Sequence, residues 1–164
     1  MATMNYGDIL LRLAAAVLIG GTIGLDRNLH GKPTGIRTLG LVSLGAALAT
    51  VASVDLLGEH GRFDPSAVSR VIQGVVTGVG FLGAGVIVHE NGSDRVRGLT
   101  TAASIWITAI LGILCGMGSW QSAGIALVLV FLLFVLGKPL ERALHRRWLK
   151  KPDKEREAIA AHEE

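Results

Sequence analysis

Long apolar runs broken by short charged clusters constrain this chain more than any other feature of its sequence. A helix needs about 20 predominantly apolar residues to cross the hydrocarbon core of a bilayer, within a range of about 17–25. Five windows qualify, at residues 9–25, 39–57, 68–88, 101–118 and 121–137. The fifth is the purest, with residues 125–136 wholly apolar. Five such helices take up about 100 residues, which leaves little of the 164 for a soluble domain. In lipid, each segment must close its own backbone hydrogen bonds. The expected fold class is therefore all-α, a polytopic membrane protein of about five transmembrane helices. Residues 5–140 form the transmembrane domain and residues 138–164 a charged tail.

Composition removes the competing classes. The chain is 50% hydrophobic with a net charge of +3, which excludes disorder. Cys115 is the single cysteine, which excludes a disulfide framework. Glycine, at 22 residues, is about double its average usage but follows no three-residue period, so collagen is excluded. Residues 1–8 hold no Lys or Arg. The first window thus lacks the basic leader of a cleaved signal peptide and reads as a retained span. Arg12, near its start, is expected to snorkel to the interface.

Basic residues set the orientation. The first connection holds Arg27, Lys32 and Arg37, the third holds Arg95 and Arg97, and eight more follow from Lys138 onward. Placing the tail in the cytoplasm with five spans puts the N-terminus outside. Thirteen of the 16 Lys and Arg then lie inside. An even number of spans would set the two basic connections against the tail. Within the tail, Leu140, Leu144 and Trp148 form one helical stripe among six basic residues. This reads either as an interfacial amphipathic helix on anionic lipid headgroups or as a plain positive-inside anchor. Residues 152–164 are mainly acidic and read as a frayed end.

The glycines fall in patterns that suggest several chemistries. Gly78-Val79-Gly80-Phe81-Leu82-Gly83 matches the dinucleotide fingerprint by letter, but it sits inside an apolar run with no preceding strand. Close packing in lipid explains it better, because small residues let backbones approach. Gly74, Gly78 and Gly85 share one face of the third span, and Gly80, Gly83 and Ala84 share another. Two small faces predict that this span is the packing centre, touched on both sides. A broken helix lining a polar site is the functional alternative. Gly20 with Gly24, and Gly112 with Gly116, repeat the small-xxx-small spacing. Gly31-Lys32-Pro33-Thr34 fails as a phosphate loop, and His89-Glu90 lacks the second histidine of a zinc helix.

A polar constellation gathers at the cytoplasmic ends of the spans. Span two begins after Gly35-Ile36-Arg37-Thr38, and span four after Arg97-Gly98-Leu99-Thr100-Thr101. Thr38 or Thr100 is expected to cap free amides, and an arginine beside exposed amides makes an anion site. Asp26 and Arg27 end span one on the same side. An acid at that depth must be paired or solvated, so Asp26 is expected to pair with Arg37 or Arg97. Ordinary flanking charges are the plainer reading of each residue. A faint echo between residues 20–37 and 83–97 suggests parallel repeats of spans one–two and three–four. Asp55, Glu59, Asp64, Glu90 and Asp94 are the remaining membrane-edge acids, and their spacing fits no compact magnesium site. Nothing calls for a cofactor or a nucleic-acid partner.

Three ordered segments resemble the MgtC/SapB family of bacterial membrane proteins. They are Gly20-Gly21-Thr22-Ile23-Gly24-Leu25-Asp26-Arg27 with Gly31-Lys32-Pro33-Thr34-Gly35-Ile36-Arg37-Thr38, then Gly78 through Gly85, then Val96-Arg97-Gly98-Leu99-Thr100-Thr101-Ala102-Ala103-Ser104-Ile105-Trp106. The resemblance implies a multi-pass protein of the bacterial inner membrane. It associates the chain with growth under magnesium limitation and, in pathogens, with survival inside phagocytes. The family has been labelled a magnesium transporter, and some members look like modulators of other membrane proteins. The chain departs from longer members in lacking their soluble C-terminal domain. Asp26 stands where glutamate is often found, and Asn28 where another polar or acidic residue is common.

The leading expectation is a non-enzymatic modulator linked to magnesium homeostasis, acting through contacts with itself or another membrane protein. Its contact surfaces would be Gly20, Gly24, Gly74, Gly78, Gly80, Gly83 and Gly85. Asp26, Arg27, Arg37, Thr38, Arg97, Thr100 and Thr101 would form a cytoplasmic polar cluster. The alternative is a small ion transporter, for Mg2+ or another ion, gated by that cluster. Polar residues at mid-span are few, mainly Ser43, Thr50, Gln73, Thr77, Ser104 and Thr108, which favours the modulator. No nucleophile–base pair supports an enzyme, and no nucleotide domain of a P-type pump fits.

Overall fold

The structure is a computed structural model and describes residues 4–59, 65–89 and 96–149. Its elements run α1 Tyr6–Leu29, α2 Ile36–Glu59, α3 Pro65–Ala84, β1 Val88–His89, β2 Val96–Arg97, α4 Leu99–Gly116 and α5 Trp120–Leu149. Four helical segments are long and apolar enough to cross a membrane: Tyr6–Leu29, Ile36–Val54, Leu99–Gly116 and Trp120–Leu144. The chain is a multi-pass membrane protein. Its helices present large apolar side chains outward, among them Leu10, Leu18, Leu41, Phe81 and Leu133. That is the surface a bilayer requires.

Local chemistry sets the helix ends. Asn5 caps α1 by accepting a hydrogen bond from the Gly7 amide. At the other end Gly31 takes a left-handed φ of 60°, and the Lys32 amide returns to the Arg27 carbonyl at 2.9 Å, closing the last turn before Pro33. The same device ends α4. Gly118 has φ 72°, and the Ser119 amide reaches the Leu114 carbonyl at 2.9 Å.

The third helix is shorter than its sequence window. It stops at Ala84, not residue 88, because Gly83 and Gly85 hold a helix weakly and the β-branched run that follows extends instead. Val88 pairs with Arg97 and His89 with Val96 in a short antiparallel ladder. Val68–Ala84, the apolar part of α3, is 17 residues. At 1.5 Å per residue it covers about 25 Å, less than the roughly 30 Å hydrocarbon core. It is one uninterrupted helix, not a broken one.

The core lies among α1, α2 and α4. More than half of α4 is buried, including Ile105, Ala109, Leu111 and Gly112. Gly20 of α1 faces Leu39 of α2, and Gly24 faces Ile36 and the preceding Gly35, in descending order, so these helices are antiparallel. Gly112 and Gly116 of α4 face Ser43 and Ala47 in ascending order, so α2 and α4 run parallel. Ser43 is the node that both Gly20 and Gly112 touch. Ala16, Ala47, Cys115 and Ala123 complete a small-residue cluster. The chain forms two compact units, residues 1–127 and 128–164. In the second unit α5 runs past Gly137 and through Pro139 to Leu149 as continuous helix. The tail beyond residue 149 lies outside the described residues.

Candidate functional site

The polar side chains near the α1–α2 turn separate into a buried pair and an exposed fringe. Arg27 sits in the last turn of α1 and is 4% exposed. Its Nη2 donates to Thr101 Oγ1 in the first turn of α4 and to the Pro33 carbonyl at 3.3 Å. Thr101 is equally buried. Arg27 Nε is buried without a hydrogen-bond partner. This contact brings the end of α1 to the start of α4.

Asp26 does not pair with Arg37 or Arg97. Its carboxylate lies 3.4 Å from His30 Nδ1, one turn further along the same helix. A partner at i+4 is already within reach, whereas the arginines stand on other elements. Arg37 and Thr38 are exposed in the first turn of α2, and Arg97 is exposed on β2. Neither threonine is a helix cap. Thr38 and Thr100 both lie inside their helices, and the residue capping α4 is Gly98, with no side-chain hydrogen bond. Gly98 holds φ 94° beneath the Val86 carbonyl, a conformation only glycine takes at low cost.

The opposite end of α1 carries a second contact, between helices far apart in sequence. Arg12 does not simply snorkel. It pairs with Asp8 at 2.9 Å and donates to the Gly116 carbonyl at 2.8 Å, with Gly118 close against its guanidinium. A cation there satisfies the free carbonyls that end α4. The signal in the sequence was the Asp8–Arg12 spacing of four.

The glycines divide sharply. A Cβ at Gly20 would lie 2.5 Å from the Leu39 carbonyl oxygen, and one at Gly24 would lie 2.6 Å from Ile36 Cα. On α3 a Cβ at Gly74, Gly78 or Gly80 would meet nothing within 4 Å. Gly83 reaches Ala102 Cβ at 3.5 Å, and Gly85 meets only carbonyls of its own turn. The third helix is therefore not the packing centre of the chain. That position is shared by α2 and α4, each packed against α1, against α3 and against the other, while α3 leaves Gly74, Gly78 and Gly80 open.

The mid-span hydroxyls turn inward on their own helices. Thr50 donates to Ala46 O at 2.9 Å, Ser104 to Thr100 O at 2.7 Å and Thr108 to Ser104 O at 2.7 Å. Ser43 Oγ is buried without a partner. Gln73 and Thr77 lie exposed on α3. Among the described residues no group of three or more His, Cys, Asp or Glu could hold a metal ion. Asp64, Glu90 and Asp94, and the side chains of Asp55 and Glu59, lie outside the described residues.

Comparison with known proteins adds an independent line. The family model described as the MgtC family matches residues 13–143. Protein SrpB of Synechococcus elongatus is 41% identical over 85% of this chain and 78% of its own length. Protein MgtC of Brucella abortus is 41% identical over 80% of this chain and 52% of its own. YhiD of Escherichia coli K12, whose name carries a proposed magnesium-transport role, is 41% identical over 70% of this chain and 53% of its own. The chain thus spans about half the length of the latter two. No solved structure matches the chain.

Proposed function

The chain belongs to the MgtC family, and from that membership we propose that it serves magnesium homeostasis in the bacterial inner membrane as a non-catalytic modulator of other membrane proteins. The observation that carries this reading is the closed interior of α1, α2 and α4. Glycines set backbone against backbone at Gly20, Gly24, Gly112 and Gly116. The hydroxyls of Thr50, Ser104 and Thr108 are spent on carbonyls one turn back. A permeating ion needs a row of oxygens along an open passage to replace its water, and here glycines close backbone on backbone at Leu39, Ser43 and Ala47, where such a passage between these helices would run. The open side of α3, with Gly74, Gly78 and Gly80, supplies a surface on which a transmembrane helix of a partner, or of a second copy, can approach closely.

Magnesium flux into proteoliposomes containing the purified chain tests the reading. The expected result is entry no faster than into empty liposomes. Protein-dependent entry that Asp26→Ala abolishes would overturn it and establish the alternative, a small ion transporter gated by the polar cluster.

A further inference from the structure

We propose that the junction of α1 and α4 binds a phosphate-class oxyanion, carried by a lipid headgroup or free in solution, between Arg27 and the first-turn amides of α4. Burying a guanidinium is costly unless its charge and its N–H groups are matched. Arg27 is 4% exposed, yet among the described residues it makes no ion pair. The acid beside it, Asp26, is engaged with His30. The two acceptors that Arg27 has, Pro33 O and Thr101 Oγ1, are neutral, and its Nε has none.

The start of α4 has the same deficit from the other side. An α-helix begins with amides that have no intrahelical acceptor and with partial positive charge. At most such ends a side chain supplies the acceptor. Gly98 has none to supply. Arg27 reaches into this first turn, since Thr101 is the third residue of α4. Two positive features therefore converge: the charge of neighbouring Asp26 acts on Arg27, but among the described residues no carboxylate lies within ion-pair distance of its guanidinium, and no side chain caps the α4 amides.

The chemistry selects the ligand class. A cation is repelled at this point. A tetrahedral oxyanion offers several acceptors at once, enough for Arg27 Nε and the α4 amides together. Thr101 accepts from Arg27 and keeps its own O–H to donate. Arg27 lies two residues from the end of α1 at Leu29. The end of a helix long enough to span a membrane lies near the headgroup phosphates and the water beyond them.

The test uses the full chain, delipidated in a maltoside detergent, which carries no phosphate. One arm titrates sodium phosphate against sodium chloride at equal ionic strength. The other adds phosphatidylglycerol against a neutral diacylglycerol. Thermal unfolding reads ligand-dependent stabilisation, and native mass spectrometry counts bound ligand. Saturable stabilisation with one ligand per chain is expected in at least one arm, and the arm that responds identifies the source. Thr101→Val, which removes one hydroxyl and keeps the volume, is expected to weaken binding about tenfold. Arg27→Gln is expected to abolish the response. No response from the unmodified chain in either arm overturns the site, whatever the variants do. A response that both variants leave unchanged overturns it as well, because the ligand then lies elsewhere. If Arg27→Gln does not fold, Thr101→Val decides.

Discussion

Gly112 with Gly116 on α4 and Gly74 with Gly78 on α3 share the same spacing of four, and the structure gives them opposite surroundings. The α4 pair lies against the backbone of α2, at Ser43 and Ala47. The α3 pair faces open space. Small-xxx-small spacing is thus a permission for close approach, not a contact. What decides is whether another helix of the chain presents its backbone at that face. On α4 one does, α2, and Ser43 is touched from both sides, by Gly112 of α4 and Gly20 of α1. Among the glycines of α3 only Gly83 comes close to another helix, at Ala102 near one end.

The comparison makes its strongest demand at Gly112. A Cβ there would run into the Ser43 carbonyl, and backbone in a packed three-helix core has little room to give. Overpacking costs about 1–3 kcal/mol, and Gly112→Ala belongs at the upper end, about 3 kcal/mol. Thermal unfolding of the purified variant in detergent checks it, and an unchanged midpoint would remove the distinction between the two glycine pairs. Gly98→Ala comes next. This residue joins the ladder after α3 to the start of α4, with φ 94° and the Val86 carbonyl overhead. A side chain in that conformation costs about 1–3 kcal/mol. The same unfolding measurement should show a loss of about 2 kcal/mol.

The helices themselves were legible because apolar length is a property of each segment alone. So was the spacing that suits Gly20 and Gly24 to face α2. What stayed hidden depends on the facing element. Arg12 could be paired with Asp8 from sequence, but its bond to the Gly116 carbonyl spans 104 positions. For Asp26 the charge pattern points to a distant arginine, but His30 stands four residues on and the local partner prevails. The end of α3 at Ala84 was written in Gly83-Ala84-Gly85 and the extended run after it. Hydropathy averaged over a window smooths such a boundary away. Arg27 was legible as a polar residue at a span end, but its burial was not, because Thr101 and Pro33 come to it from elsewhere in the chain.

Two smaller effects sharpen the comparison on the α3 side. Glycine in a helix interior costs about 0.5–1 kcal/mol relative to alanine. With nothing within 4 Å of its Cβ position, Gly78→Ala should therefore stabilise the isolated chain by about that amount. The sign is opposite to that at Gly112, and thermal unfolding reads both. A loss of stability at Gly78 would mean that this face is covered, by a second copy in the micelle. Chemical cross-linking of the same sample would then reveal it.

Gly83→Ala has the smallest expected effect and probes the boundary between the two regimes. A Cβ at Gly83 lies 3.5 Å from Ala102 Cβ, an ordinary van der Waals contact. It neither clashes, as at Gly112, nor projects into open space, as at Gly78. The new contact adds a few tenths of a kcal/mol of dispersion energy at most. The propensity gain is also reduced, because α3 ends one residue later at Ala84. The two small terms share a sign, so the unfolding midpoint should rise by less than for Gly78→Ala. A loss comparable to that of Gly112→Ala would show that α3 closes onto α4 as tightly as α2 does. The open face of α3 would then be narrower than Gly74, Gly78 and Gly80 indicate, and less of it would remain for a partner helix.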